Sequence, residues 1–390
     1  NLSALFSNRW DTNAGEFGAL FNISYVETNY RDQNVAAGAA VPFAAEAVGG
    51  YGYLDRIFDT KIWTPGLENG LPTAAGSTLD FNGVAGKYYL SRDAVFQNDF
   101  TGTRERPAAN LSLQFAPDDK SEYLFEAFYN GYRNESFNNL LFGYVDAWWD
   151  NADKPAPELY TDTNVIKERV VGDTAIFSSG GYSEGQTDSW VYALGGKWQL
   201  TDNVELRSEL VYQKSEYETS FIAMRADTRG DIAVDFNSGD GIPSWTVIEP
   251  ATNGDLTFGT VNYQVRDLTD SSRWTMGTLY DNRGAYKGES TTWTTDGAWA
   301  IDDSFFTKVE FGTRIDQRKA DDSYKNQNGW CFVDCAFSNY SGIAHINSGF
   351  FDGESDVPTT WFVPNGKWLS SNAALMRSHY TNDAVASDGI

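Results

Sequence analysis

Methionine, cysteine and histidine are nearly missing from this chain of 390 residues, with 3, 2 and 2 copies respectively. Few Met, against 15% aromatics and 36 glycines, favours strands, turns and aromatic contact surfaces over packed helices. His345 and His379 lack HExxH spacing and have no Ser or Cys partner motif; no GxSxG, P-loop or dinucleotide fingerprint occurs. The chain therefore reads as a non-enzyme with no catalytic residue to name. A glycosidase acid and base could be drawn from 54 carboxylates, but nothing singles out two of them. Cys331 and Cys335, in GWCFVDCAF, have no His or second Cys pair beside them, so zinc is a poor fit. The expectation is a local disulfide formed in an oxidising compartment, shaping a loop tip. Closing so small a loop stabilises by about 2 kcal/mol.

Long apolar runs are missing too, and the mean hydropathy is −0.45. That excludes a transmembrane helix and leaves a barrel strand open, since such a strand needs only alternate apolar residues. Basic residues are short in number, 29 against 54 acidic, for a net charge of −25. Such a field repels nucleic acid and argues against a DNA- or RNA-binding role. No signal peptide opens the chain: Asn1-Leu2-Ser3 already reads as the middle of a strand, so the expectation is a mature chain and a fragment.

What is present is alternation. In Ala298–Arg318, the residues Phe305, Thr307, Val309, Phe311, Thr313 and Ile315 share one face. Lys308, Glu310, Gly312, Arg314 and Asp316 share the other, the period of two that marks a strand between unlike surroundings. With Trp293–Ile301 and a turn at Asp302-Asp303-Ser304 this makes an antiparallel hairpin. Three more follow the same plan. Leu2–Trp10 turns at Asp11–Gly15 into Glu16–Thr28, Pro107–Phe115 turns at Ala116–Lys120 into Glu122–Tyr132, and Ser189–Leu200 turns at Thr201–Asn203 into Val204–Gln213. Long segments rich in Gly, Asn, Asp, Ser and aromatics (29–106, 133–188, 214–292 and 319–390) connect the strands at their other ends. Within them Val165–Phe177 and Leu256–Arg266 read as strands and Ser91–Asn98 as a helical turn. Compact soluble domains seldom hold several such connections, whereas outer-membrane barrels pair short periplasmic turns with long extracellular loops. Trp10, Trp190, Trp198, Tyr212, Trp293 and Trp299 fall where an aromatic girdle would lie, or at the edge of a sandwich core.

The phrases FTGTRERPAANLSLQFAPDDKSEYLFEAFYNGYRNESFNN, GGKWQLTDNVELRSELVYQKSE and AWAIDDSFFTKVEFGTRIDQR resemble the barrel of a TonB-dependent outer-membrane receptor. The resemblance covers the four hairpins and rests on their cadence of strand, short Asp- or Asn-containing turn, and strand ending in charge. It implies a barrel of about 22 strands around an N-terminal plug, importing a scarce nutrient with energy relayed by TonB from the inner membrane. No plug, TonB box or aromatic-ended final strand is legible. The expected fold is therefore all-β: part of one antiparallel transmembrane β-barrel with very long extracellular loops. Its hairpins lie near 1–28, 107–133, 187–213 and 292–318, with the plug and C-terminal strands outside this chain. Two other classes fit the same residues: a secreted Trp-rich β-protein that binds or hydrolyses polysaccharide, and a passive porin-like channel.

Ligand candidates are the aromatics outside the expected strands. They are Tyr144, Trp148 and Trp149 in FGYVDAWWD, Trp330 beside the cysteines, and Trp361 and Trp368 in TTWFVPNGKW. Exposed Trp and Tyr among Asp, Asn and Arg can stack on sugar rings and bond their hydroxyls; packing inside a loop is the other use of such residues. The acid excess favours a neutral oligosaccharide over a metal chelate. No cofactor is called for. The run Asp352-Gly353-Glu354-Ser355-Asp356 offers carboxylates to calcium but lacks an EF-hand register, and the Asp pairs 118–119, 302–303 and 321–322 read as turn chemistry. Expected partners are outer-membrane lipid, the small-molecule or oligosaccharide ligand and, through the missing N-terminal part, TonB.

Overall fold

A computed structural model describes residues 1–57, 70–146, 154–238, 242–258, 260–301 and 305–387, with side chains of the last helix to Asp383. The fold is all-β and its strands pair antiparallel. Eight long strands follow one another along the chain: β1 (Leu2–Thr12), β2 (Gly15–Ala37), β3 (Ala94–Asp118), β4 (Ser121–Tyr144), β5 (Ile166–Thr201), β6 (Val204–Asp235), β7 (Thr275–Ala300) and β8 (Lys308–Gly329). Each pairs with the one before it, so chain order is sheet order. Among the described residues β1 and β8 each pair on one side only, leaving two open edges.

Three of the expected turns stand where the sequence puts them, with tips at 13–14, 119–120 and 202–203. The fourth, Asp302-Asp303-Ser304, lies outside the described residues. At the second turn the Asp118 carboxylate accepts from the Lys120 backbone N–H (3.0 Å) and the Ser121 hydroxyl (2.6 Å), the local bonding that makes Asp a turn former. Gly15 closes the first turn at φ 125°, where a Cβ would sit 2.3 Å from the Ala116 carbonyl oxygen, so only glycine fits.

The strands are much longer than the hydrophobic alternation indicates. β2 continues nine residues past Thr28, to Ala37, and β4 continues to Tyr144. Segments expected as connections are therefore partly strand. Ser91–Asn98 is not a helical turn: Val84–Arg92 and β3 are both extended there, because Val95 is fully buried on one side of the sheet while Phe96 stacks on the other. Val165–Phe177 does open a strand, β5. Leu256–Arg266 is a small hairpin, Leu256–Phe258 against Val261–Val265. Phe305 and Phe306 lie outside the strand expected to hold them, since β8 begins at Lys308.

Register fixes which side chains share a face, because directly paired residues project the same way. One row reads Ala19, Leu113, Phe125, Leu194, Leu210, Trp293 and Ile315 across seven strands. The next rows add Phe21, Leu111, Tyr192 and Tyr212 on one side and Phe17, Phe115 and Tyr123 on the other. Together they form an apolar band on what we call the banded face. The band is open to its surroundings: Leu194 is 57% exposed, Leu210 46% and Ile315 58%.

Beyond the band, at the end of the long connections, a C-terminal unit covers the same face. It contains a hairpin of Ala344–Asn347 with Trp361–Pro364, followed by α1 (Gly366–Ser371) and α2 (Ala373–Ser387). Trp361, Phe362, Val363, Leu369 and Met376 are fully buried there against Leu141, Ile176 and Met224 of the sheet. Gly180 on β5 makes room for it, since a Cβ would fall 1.6 Å from the Pro364 oxygen. Two charged anchors hold the unit. Arg377 grips Asp281 of β7 at 2.6 and 2.8 Å, and Asn347 donates to Asp99 of β3, which Arg31 also holds. Asp281 is kept below the usual carboxylate range by the Arg377 hydrogen bonds. At Asp99 burial pushes the other way but is outweighed by Arg31, Asn347 and Gln33, so it too is lowered.

Candidate ligand-facing surface

The opposite face of the sheet is polar near the short turns and aromatic near the long connections. One residue over from the band, β2 to β8 contribute Gly18, Gln114, Leu124, Gly195, Glu209, Thr294 and Arg314. Midway along the strands tyrosines and arginines appear. Tyr217 and Tyr286 stack at 5.7 Å, Arg104 lies 4.1 Å over the Tyr30 ring and Arg106 5.6 Å over Tyr132. A guanidinium over an aromatic face gains from the ring's quadrupole and can still hydrogen-bond through its edge.

Further along, the same face carries a continuous ring stack. Phe96 on β3 stacks on Phe142 of β4 (5.6 Å, 9°), and Phe142 on Phe177 of β5 (4.6 Å, 13°). The Arg225 guanidinium on β6 lies 4.6 Å from the Phe177 ring and 5.2 Å from Trp330. Asp227 neutralises Arg225 at 2.5 Å. Tyr144 leans edge-on against Phe142 at 4.8 Å. Beside the rings runs a ladder of amides, Asn138 donating to Asn98 (3.2 Å) and Asn98 to Asn34 (3.1 Å). The Asn138 carbonyl oxygen is buried with no protein partner. Rings and side-chain amides side by side can hold a ligand that has both an apolar face and hydroxyls.

Two of the six aromatics chosen from the sequence, Tyr144 and Trp330, thus meet on one surface. Tyr144 is the last residue of β4 rather than a loop residue. Trp330 follows β8 directly and is half exposed. Trp148 and Trp149 lie outside the described residues. Trp361 is 0% exposed and packs on Phe350, which gives it a core role, and Trp368 sits on α1 against Tyr340. The residues that join the pair, Phe96, Phe142, Phe177 and Arg225, were missed because each belongs to a different strand. The available signal was an aromatic at the far end of three successive strands.

The other sequence candidates place as follows. Cys331 and Cys335 form the expected disulfide. Asp383 lies close enough to suggest a metal cluster with them, but paired sulfurs are not thiolate ligands, and the Asp383 carboxylate instead accepts the Phe332 backbone N–H. His345 is on the exposed short strand Ala344–Asn347, not in a loop, and His379 packs edge-on against Tyr340. A cleft of about 940 Å³ opens on the banded face between band and C-terminal unit, lined by Glu105, Glu135, Glu184 and Glu218 with Arg133, Arg283 and Lys325. Its charges of both signs compensate one another locally, as in the Lys367–Glu135 pair at 3.2 Å.

Comparison with family models, with curated proteins and with solved structures finds no match to this chain.

Proposed function

We propose that this chain forms part of the wall of an outer-membrane β-barrel. By the resemblance of its hairpins, that barrel is a TonB-dependent receptor importing an oligosaccharide or a metal chelate. The banded face then meets lipid, the opposite face lines the lumen, and the long connections lie outside the cell. The observation that carries this reading is the slope of the band. On β8 the band ends at Ile315, in the row that contains Ala19 of β2; on β2 it continues six residues further, to Tyr25. Six residues over six strand-to-strand steps is a slope of about 35°, at about 3.4 Å per residue and 4.8 Å per strand. A bilayer cutting across strands tilted by roughly 35–45°, as barrel strands are, produces such a slope. The core of a sandwich with closely aligned sheets gives no reason for it. The band is seven residues deep on β8 (Val309–Ile315) and nine on β2 (Phe17–Tyr25), roughly 20–27 Å along the strands, against about 25 Å for the apolar belt of outer-membrane barrels.

The two open edges support the same reading, since unpaired edge strands are not stable in lipid and call for further strands that close the sheet. Heat-modifiable gel mobility after detergent extraction of outer membranes, together with ligand uptake that stops when TonB is removed, is the expected outcome. A full-length protein that purifies from the aqueous phase as a folded monomer overturns the proposal.

A further inference from the structure

We propose that Cys331, Cys335, His379 and Asp383 form a four-ligand zinc site, of which the Cys331–Cys335 disulfide is the oxidised, metal-free state. Along the chain no histidine stands near the cysteines, which is why the sequence disfavours zinc; the fold supplies one. His379 and Asp383 are four residues apart on α2, so they project from the same side of the helix, and that side meets the cysteine loop. His379 Nε2 stands 3.6 Å from Cys331 Sγ. The two sulfurs and an Asp383 carboxylate oxygen all lie within 4.8 Å of one another. In a tetrahedral site with bonds of about 2.3 Å to sulfur and about 2.1 Å to nitrogen, a sulfur and a nitrogen stand about 3.6 Å apart.

A second observation points to a bound cation. Asp383 is 3% exposed; one of its oxygens accepts the Phe332 backbone N–H, while Oδ1 is buried with no protein partner. A buried carboxylate oxygen left unpaired is costly, and a metal ion bound there removes the cost. The N–H bond to the other oxygen is the kind of outer contact that orients a metal-binding carboxylate. Both halves of the site are fastened to the start of β7. The Met276 backbone N–H donates to the Cys335 carbonyl (2.8 Å), and the Tyr380 hydroxyl donates to the Gly277 carbonyl (2.7 Å). These contacts do not involve the disulfide, so they position the ligands in either state.

Two thiolates, an imidazole and a carboxylate suit zinc, and four protein ligands with no open position make the site structural. What the metal changes is connectivity. The disulfide joins two residues of one short loop, whereas the metal ties that loop to α2. Reaching this state takes a reductant. A dithiol supplies two electrons and two protons, becoming a disulfide itself, and the Cys331–Cys335 bond opens to two thiols. Zinc then displaces the two thiol protons to solvent.

The test is metal binding by the full-length protein in detergent, reduced with a phosphine, which takes its oxygen from water, and then cleared of reductant under argon. Co2+ is the coloured probe and Zn2+ the competitor. The reduced wild type is expected to show the visible bands of tetrahedral cobalt and a thiolate-to-cobalt band, both erased by Zn2+. His379→Phe keeps a ring against Tyr340, and Asp383→Asn keeps an acceptor for Phe332; each should weaken binding at least about tenfold. Limited proteolysis gives a second readout: Zn2+ should protect α2 in the reduced wild type and not in reduced His379→Phe. Wild-type protection of α2 in the oxidised variants shows that the C-terminal unit is folded. Absence of tetrahedral bands in the reduced wild type, bands unchanged by both His379→Phe and Asp383→Asn, or equal bands in the oxidised protein each overturn the site.

Discussion

Leu194, Leu210, Trp293 and Ile315 stand in one row of the sheet; one residue away, on the other side, stand Gly195, Glu209, Thr294 and Arg314. A shift of register by one residue would exchange the two sets completely, so a sheet with faces this unlike holds its register strongly. The band itself is uniform in chemistry and repetitive, as a surface facing a fluid of one kind would be. The opposite face changes along its length, from charge to tyrosine to stacked rings, as a surface facing particular molecules would. The C-terminal unit adds a second contrast, being a buried core laid on the banded face only where the band has ended.

The largest test of that contrast is a charge on each face. Leu210→Arg should cost about 2–4 kcal/mol near the bilayer midplane, while Glu209→Arg beside it should stay within about 0.5 kcal/mol. Denaturant titration of the protein in lipid vesicles measures both. Next is packing within the band. Gly297 on β7 faces Phe311 on β8, and a Cβ there would fall 2.2 Å from the ring. Gly297→Val should displace Phe311 and destabilise by about 1–3 kcal/mol. Gly288 on the same strand, with nothing within 4 Å of its Cβ position, should accept alanine with little change in the same titration.

How much of this was legible in the sequence follows from the same contrast. The alternation from Phe17 to Tyr25 marks both the strand and its apolar face, because there the two sides meet different surroundings. From Asn29 to Asn34 both sides of β2 are polar, and a strand wet on both sides leaves no hydrophobic period to read. Around Val95 and Phe96 both sides are apolar, so the period fails for the opposite reason, and the segment reads as a helical turn. The ring stack could not be read because its members are about 35 to 50 residues apart and meet only through register. The C-terminal core was invisible for a related reason: Trp361–Pro364 is buried on all sides and reads as an aromatic loop.

Smaller effects separate the C-terminal unit from the sheet. Replacing Cys331 and Cys335 together by serine should cost at most about 2 kcal/mol. The loss should be confined to the unit, as seen by hydrogen exchange in α2 with β1 to β7 unchanged. Acid should act on its two anchors. Asp281 and Asp99 lie beyond the band and both have lowered pKa values, so their contribution is complete above the unfolded value of about 3.9 and is lost as pH falls through the folded values. Limited proteolysis should therefore show α2 protected at neutral pH and released only as pH falls below the unfolded carboxylate value of about 3.9, with Arg377→Ala releasing it already at neutral pH.

The slope of the band can be measured directly. With both native cysteines paired, single cysteines along β2 and β8 can carry spin labels in the membrane-inserted protein. Accessibility to oxygen then reports lipid, and accessibility to a water-soluble nickel chelate reports water. On the banded face the crossover from lipid to water is expected just past Tyr25 on β2 and just past Ile315 on β8, six residues apart when referred to a common row. Labels on the opposite face should favour nickel throughout. A crossover in one and the same row on both strands, or water on both faces, would contradict a tilted sheet in a bilayer.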